Sequence, residues 1–220
     1  MTRRAGVEHE GSAGTVGALT MTAPPAGLVL GHDPSGAAVA VRVFRPAPTR
    51  ILLIDRGWLE RLLVFRALAL GARVVVNTPE PAQWEGFGES LTGGPGRVVT
   101  ALPRQPVDVP ASAAQPTLFV AERHLMELPQ LRAWQTRLTV AAWFGDYVAQ
   151  PLAQADLIIL RRLSPRAITA AAALLRLDAT QAEALQTTPP DGLAAFESGS
   201  WRYVRLAVTS VEQHLFGPPG

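Results

Sequence analysis

One strand–helix–strand stretch constrains the fold more than any other part of this sequence. Ile51–Ile54 is a short continuous apolar run, as expected of a strand buried on both faces. A tight turn over Asp55–Gly57 leads into Trp58–Leu70, which is rich in Leu and Ala and predicts a helix, and Gly71 fits the position after its last turn. Arg73–Asn77 is a second apolar strand. This order predicts a right-handed βαβ unit whose two strands are parallel.

The remaining pattern extends this unit into a single α/β domain. Hairpins are predicted near both ends of the chain, and Gln135–Val140 fits a strand or a helix, of which we favour the strand. The other predicted strands are Arg97–Leu102, Thr117–Ala121 and Asp156–Leu160, and the other predicted helices are Pro81–Leu91, Pro165–Leu175, Gln181–Leu185 and Ser210–Phe216. We therefore expect a mixed, largely parallel sheet with a βαβ core and antiparallel hairpins at both ends.

The domain is expected to span residues 27–220. Residues 1–26 are Gly, Ala, Ser and Thr with scattered charge and predict a disordered arm, within which Met21 is an alternative start to Met1. No apolar stretch is long enough to cross a bilayer, and no signal peptide is evident. The sequence has no cysteine, which excludes disulfides and thiolate chemistry. These features predict a cytoplasmic protein.

The basic residues of this chain argue against nucleic-acid binding. All 20 are arginines, which explains a pI near 9.9 at a net charge of only +2. They are spread along the chain among 18 acidic residues rather than gathered in a stripe with aromatic platforms. We therefore expect no nucleic-acid partner.

The turn after the first parallel strand lacks the phosphate-binding motifs of this fold class. A P-loop requires Gly-x-x-x-x-Gly-Lys-Ser/Thr, and this chain has no lysine and only Asp55-Arg56-Gly57-Trp58 at that place. The Gly-x-Gly-x-x-Gly dinucleotide fingerprint is also absent. Asn77 and Glu80 lie where an acidic ribose partner would fall, but an ordinary strand end and turn explain them better. A small ligand at Asp55–Trp58 stays an open alternative.

No catalytic or metal-binding group stands out. The four histidines, His9, His32, His124 and His214, lack metal-ligand spacing. Glu122, His124 and Asp146 could form an acid–base group at a strand end, although surface loop residues explain them as well. We therefore assign no catalytic, cofactor-binding or metal-binding residue, expect no cofactor, and expect a protein that is not an enzyme. Trp143, Phe144 and Tyr147 form an aromatic segment that either anchors a partner or packs over the sheet.

A family resemblance suggests a specific function. Val41-Arg42-Val43-Phe44-Arg45-Pro46, the segment 50–78 and especially Leu63–Arg73 resemble proteins associated with type VII (ESX-type) secretion in actinobacteria. Within that system the likeness is to the soluble domain of the EccE component. It implies a non-catalytic accessory or scaffold role with secretion-machinery proteins as partners. Family members usually carry membrane helices, which this sequence lacks. Peripheral association with the membrane is the alternative that stays open. The alternative is a degenerate Rossmann-like domain that binds a nucleotide or another small molecule.

Overall fold

The computed structural model of the chain describes residues 27–55, 57–92, 96–102, 107–122, 130–145 and 148–219. The predicted disordered arm over residues 1–26 lies outside the described residues. Within them, no helix is long and apolar enough to cross a membrane.

The described strands form one ten-stranded sheet in the order β2-β1-β10-β9-β8-β3-β7-β6-β4-β5. They are β1 (Leu28–His32), β2 (Ala38–Val41), β3 (Thr49–Ile54), β4 (Arg73–Asn77), β5 (Val98–Ala101), β6 (Thr117–Glu122), β7 (Gln135–Ala141), β8 (Leu157–Leu160), β9 (Gly192–Glu197) and β10 (Ser200–Leu206).

The helices are α1 (Trp58–Ala69), a short 3-10 helix (Pro81–Trp84), α2 (Phe87–Thr92), α3 (Ala149–Gln154), α4 (Pro165–Leu175), α5 (Ala179–Thr187) and α6 (Ser210–Phe216). The local signals that predicted their ends are present. Gly71, with φ +88°, follows α1, and the Ser164 side chain accepts a hydrogen bond from the Ala167 amide at the start of α4. Asp178 opens α5 with a reciprocal capping box.

The sheet has a parallel part and an antiparallel part, which confirms the predicted fold class. Strands β8, β3, β7, β6, β4 and β5 are parallel neighbours. Strand β9 pairs antiparallel with β8, and β10, β1 and β2 continue the antiparallel part. Both predicted hairpins are therefore present, and they lie side by side at the same end of the sheet.

The two strands of the βαβ unit are parallel but not adjacent. Strands β7 and β6 lie between β3 and β4. In β3, β4 and β6 all residues but one are buried, and most of them are apolar, as expected of strands covered on both faces. Two large cores result. Ile51 and Leu53 pack with α1 on one face, and Leu52 and Ile54 pack with α4 and α5 on the other.

Two elements differ from their predicted form, and one ambiguous segment adopts the form that we favoured. The segment 81–91 is divided into the 3-10 helix and α2 rather than one helix, with the break at Glu85. The ambiguous segment 135–141 is a strand, hydrogen-bonded to β3 and β6. Helix α3 was not predicted, since it has six residues and contains Pro151.

Candidate functional site

The candidate site lies at the carboxyl ends of the parallel strands. Strand β3 leads to α1 on one face, whereas its neighbour β7 leads towards α3, whose Leu152 packs in the core of the other face. Adjacent strands whose connections leave in opposite directions open a crevice at their carboxyl ends, where ligands bind in open α/β sheets. The first turn of α1 borders this crevice.

The amino end of α1 is occupied by the chain itself. Only Asp55, Arg56 and Gly57 separate β3 from α1, and Gly57 adopts φ +103° to make the turn. The buried Asp55 carboxylate accepts a hydrogen bond from the Leu59 amide, with 2.8 Å between Oδ2 and N. An exposed helix amino end attracts anions such as phosphate. In this chain the carboxylate of Asp55 already fills that role.

A buried cation close to this turn is also engaged by the chain. Arg161 follows β8 and lies 3.5 Å from Asp55, measured between Nη1 and Oδ1. Its Nη2 donates to the Pro190 carbonyl, and its guanidinium carbon lies 5.7 Å from the centre of the Trp58 ring. These contacts hold Arg161 in a buried position.

A second carboxylate, Glu122, ends β6 in the same crevice. Its Oε2 accepts from the Thr78 hydroxyl at 2.5 Å, and its Oε1 accepts from the Trp84 indole N–H at 2.6 Å. Thr78 follows β4 and Trp84 belongs to the 3-10 helix. Three separate elements therefore position this carboxylate.

Glu60, in the first turn of α1, faces Glu122. Burial, the nearby Glu122 with its hydrogen bond to Glu60, and Asp55 together raise the pKa of Glu60 to about 9. At neutral pH Glu60 is therefore a neutral carboxylic acid hydrogen-bonded to Glu122. The Oε1 atom of Glu60 is buried without a hydrogen-bond partner among the described residues.

These side chains line a pocket of about 400 Å³, a volume within the range of small-molecule sites. Trp58 and Trp84 contribute indole rings, and Leu215 and Phe216 of α6 close one side. The Trp58 indole N–H fixes this side by donating to the Phe216 carbonyl at 3.1 Å. Among the described residues, Arg61 is the arginine that lines the pocket, and its Nη2 reaches the Gln83 carbonyl at 3.5 Å.

The site contains part of what the sequence indicated. Of the proposed acid–base group, Glu122 lies in the pocket, whereas His124 and Asp146 lie outside the described residues. Asn77 is buried at the end of β4, and the Glu80 carboxylate accepts from the Gln83 side chain. His32 ends β1 and His214 lies in α6, both away from the pocket lining. No group of three or more metal-binding side chains occurs among the described residues.

Sequence reasoning missed Glu60, Thr78, Trp84 and Arg161. One signal was available, because Glu60 is an acidic residue in a helix that is otherwise apolar on nearly every face. The aromatic segment is split: Phe144 is buried in the core beneath α4 and α5, Trp143 is 60% exposed, and Tyr147 lies outside the described residues.

Comparison with known proteins shows similarity at the level of the fold. No family model matches the sequence, and no curated protein matches it. Among solved structures, VirB4 of Thermoanaerobacter pseudethanolicus aligns with a TM-score of 0.59 at 10% identity, over 85% of this chain and 98% of that one. B204, the DNA-packaging ATPase of Sulfolobus turreted icosahedral virus, aligns with a TM-score of 0.53 at 11% identity, over 74% and 98%.

The related B204 genome-packaging NTPase from Sulfolobus turreted icosahedral virus 2, in complex with AMP, aligns with a TM-score of 0.51 at 11% identity, over 75% of this chain and all of that one. At these identities the likeness concerns the fold alone. The chain thus has a mixed α/β fold similar to that of NTPase domains.

Proposed function

We propose that this chain is a non-catalytic accessory or scaffold component of an actinobacterial type VII secretion system and acts through protein–protein contacts. The observation that carries the proposal is the closed phosphate position of an NTPase-like fold. The turn between β3 and α1 has three residues, and Asp55 takes the helix amide that a phosphate would need.

Nucleotide hydrolysis would require groups that the described residues of this site do not offer. In P-loop NTPases a lysine and the wrapped backbone of a longer loop hold the β- and γ-phosphates, and an acidic residue helps to hold Mg²⁺. Here the chain has no lysine, and Arg161 is bound by Asp55 and Pro190. The strand-end carboxylate Glu122 has both oxygens engaged by Thr78 and Trp84.

Protein contact is supported by the surface near the crevice. Trp143 follows β7 at the carboxyl edge of the sheet and is 60% exposed. Exposed tryptophans contribute strongly to binding energy at protein interfaces. The resemblance of the segment 50–78 to type VII secretion proteins names the kind of machinery in which such a partner would be found.

The alternative is a degenerate nucleotide- or small-molecule-binding domain. The fold that the chain shares with NTPases, one of them in complex with AMP, favours this alternative. The filled amino end of α1 argues against it. The two functions predict different outcomes for the same protein preparation.

The experiment is a tagged copy expressed at native level and recovered from gently solubilised membranes and from cytosol. We expect it to purify with the secretion ATPase and membrane components, and we expect its deletion to reduce export of the substrates of that system. Replacing Trp143 with Ala should weaken the association, whereas Leu174→Ala, an exposed position on α4, should not. A free monomer in cytosol, together with normal export in the deletion strain, would overturn the proposal.

Calorimetry of the purified chain with ATP or ADP and Mg²⁺ tests the alternative, nucleotide-binding function. We expect no saturable heat. Saturable binding that survives Trp143→Ala would favour the nucleotide-binding function.

A further inference from the structure

The pocket beside α1 is lined by carboxyl groups, whereas an NTPase site presents a lysine to the phosphates. Its lining holds two carboxyl groups, Glu60 and Glu122, and Asp55 lies near enough to raise the pKa of Glu60. The arginine in the lining, Arg61, extends towards the Gln83 carbonyl, and Arg161 is bound by Asp55. Among the described lining residues, the carboxyl groups therefore outnumber the arginines.

Glu60 supplies an observation that points to a ligand. Its side chain is 95% buried and lines the pocket, yet its Oε1 has no donor among the described residues. Buried polar atoms in folded proteins almost always have a hydrogen-bond partner. Each oxygen of the adjacent Glu122 accepts one hydrogen bond, from Thr78 or from Trp84, and a carboxylate oxygen can accept two. A ligand that donates several hydrogen bonds would therefore reach both groups.

The walls of the pocket suit a cation with an apolar stem. Trp58, Trp84 and Phe216 provide aromatic rings, and Leu215 adds an aliphatic surface. Aromatic faces attract ammonium and guanidinium groups. The Arg161 guanidinium lies 5.7 Å from the centre of the Trp58 ring, an example of this contact beside the pocket.

We propose that this pocket binds a guanidinium or alkylammonium group, which donates to Glu60 Oε1 and to Glu122 while its stem contacts Trp58, Trp84 and Phe216. The group comes either from a small cationic molecule or from an arginine or lysine side chain of a protein. Both sources present the same chemistry to the pocket. This inference is independent of the secretion proposal.

Binding of a cation should release a proton. At neutral pH Glu60 holds its proton because its pKa is raised to about 9. A bound cation stabilises the doubly ionised pair, which Asp55 disfavours and Arg61 favours. Affinity should therefore rise with pH, by up to about tenfold per unit, until the pH reaches the pKa of Glu60.

The test uses the full chain labelled with 5-fluorotryptophan and followed by fluorine NMR. The probe is butylguanidinium, and butylurea serves as its uncharged counterpart of the same shape. We expect butylguanidinium, with a Kd on the order of millimolar, to shift the Trp58 and Trp84 signals and to leave Trp201 of β10 unchanged. Butylurea should shift neither signal.

Variants of the two carboxyl residues test whether the cation binds at Glu60 and Glu122. Glu60→Gln replaces the protonated acid with a neutral group of the same shape, so the protein should stay folded and the pH dependence of the Kd should disappear. Glu122→Gln should weaken binding at least about tenfold, since the charged acceptor is lost. Glu183→Gln, an exposed carboxyl on α5 at the other face of the sheet, should match the unmodified chain.

Three results would overturn the proposal: equal shifts with butylurea, no shift at Trp58 and Trp84, or an unchanged pH dependence in Glu60→Gln. Capped arginine, N-acetyl-arginine-methylamide, distinguishes the two sources once butylguanidinium binds. Binding of the capped residue at similar strength identifies a protein side chain as the source. Its exclusion identifies a small free cation.

Discussion

The surroundings of Glu60 depend on the three-dimensional fold, so sequence reasoning did not identify it as a site residue. The helix over residues 58–69 was predicted, and the acidic residue within it was visible. That it faces Glu122, on a strand far along the chain, depends on the order of β3, β7 and β6 in the sheet. Asp55 could be placed at the strand end from the sequence because its contact with α1 is local. Its carboxylate accepts a hydrogen bond from the Leu59 amide, four residues further along the chain.

The raised pKa of Glu60 predicts how stability depends on pH. The ordinary value of 4.5 applies to the unfolded chain and about 9 to the folded one, so between these values the folded chain holds a proton that the unfolded chain releases. Stability therefore falls as pH rises through this window. Glu60→Gln removes this contribution, and its stability relative to the unmodified chain should grow by about 1.4 kcal/mol per pH unit.

Urea denaturation at several pH values within this window measures the difference. Glu183→Gln, which removes an exposed carboxyl, should follow the unmodified chain at every pH. If the difference in the free energy of unfolding between Glu60→Gln and the unmodified chain does not change with pH, Glu60 is not protonated in the folded chain.

At the scale of elements, local signals predicted the helices and strands better than their partners. Ser164, Asp178 and Gly71 marked helix ends because a cap or a positive φ is a property of a few consecutive residues. Helix α3 lacked such signals. The strand at 135–141 was ambiguous in isolation, since its pairing with β3 and β6 supplies what the local pattern does not.

Arg66 connects α1 to three other elements. It forms an ion pair with Glu212 of α6, with 2.7 Å between Nε and Oε1, and it donates to the carbonyls of Val29 and Ala207. Burial alone would raise the pKa of Glu212, but the hydrogen bonds from Arg66 and from Thr209 outweigh it and lower the pKa. The charged pair is therefore part of how α6 is held over the pocket.

Replacing Arg66 with Met should destabilise the chain by about 3–5 kcal/mol, because it leaves the Glu212 carboxylate buried without its partner. The double replacement Arg66→Met with Glu212→Gln should recover part of this loss. Arg205→Met breaks an exposed pair with Asp191 and should cost about 1 kcal/mol or less. Denaturant titration compares the variants, and similar losses for Arg66→Met and Arg205→Met would contradict the structural role of Arg66.

At the scale of the whole molecule, the sequence predicted the class of the sheet but not the order of its strands. Apolar runs show that a strand is buried, but they do not specify which strand lies beside it. The placement of β7 and β6 between the strands of the βαβ unit, and of both hairpins at one end, follows from long-range pairing. The candidate site was unpredictable for the same reason, since it joins residues from β3, β4, β6 and β8.

The continuous sheet predicts that the antiparallel part and the parallel part unfold together. Strand β9 is hydrogen-bonded to β8 along four residue pairs, and Leu193 of β9 lies in the same core as Leu53 of β3. Because the two parts share one core, residues 27–220 should behave as a single cooperative unit, as the sequence predicts.

Leu193→Ala, which removes a fully buried side chain, should destabilise the whole chain by about 2–5 kcal/mol. Hydrogen exchange at peptides from β3, β7 and β9 should then accelerate by the same factor, whereas Val29→Ala, at a half-exposed position in β1, should leave all three nearly unchanged. Faster exchange confined to β9 and β10 would instead show that the antiparallel part opens as a separate unit.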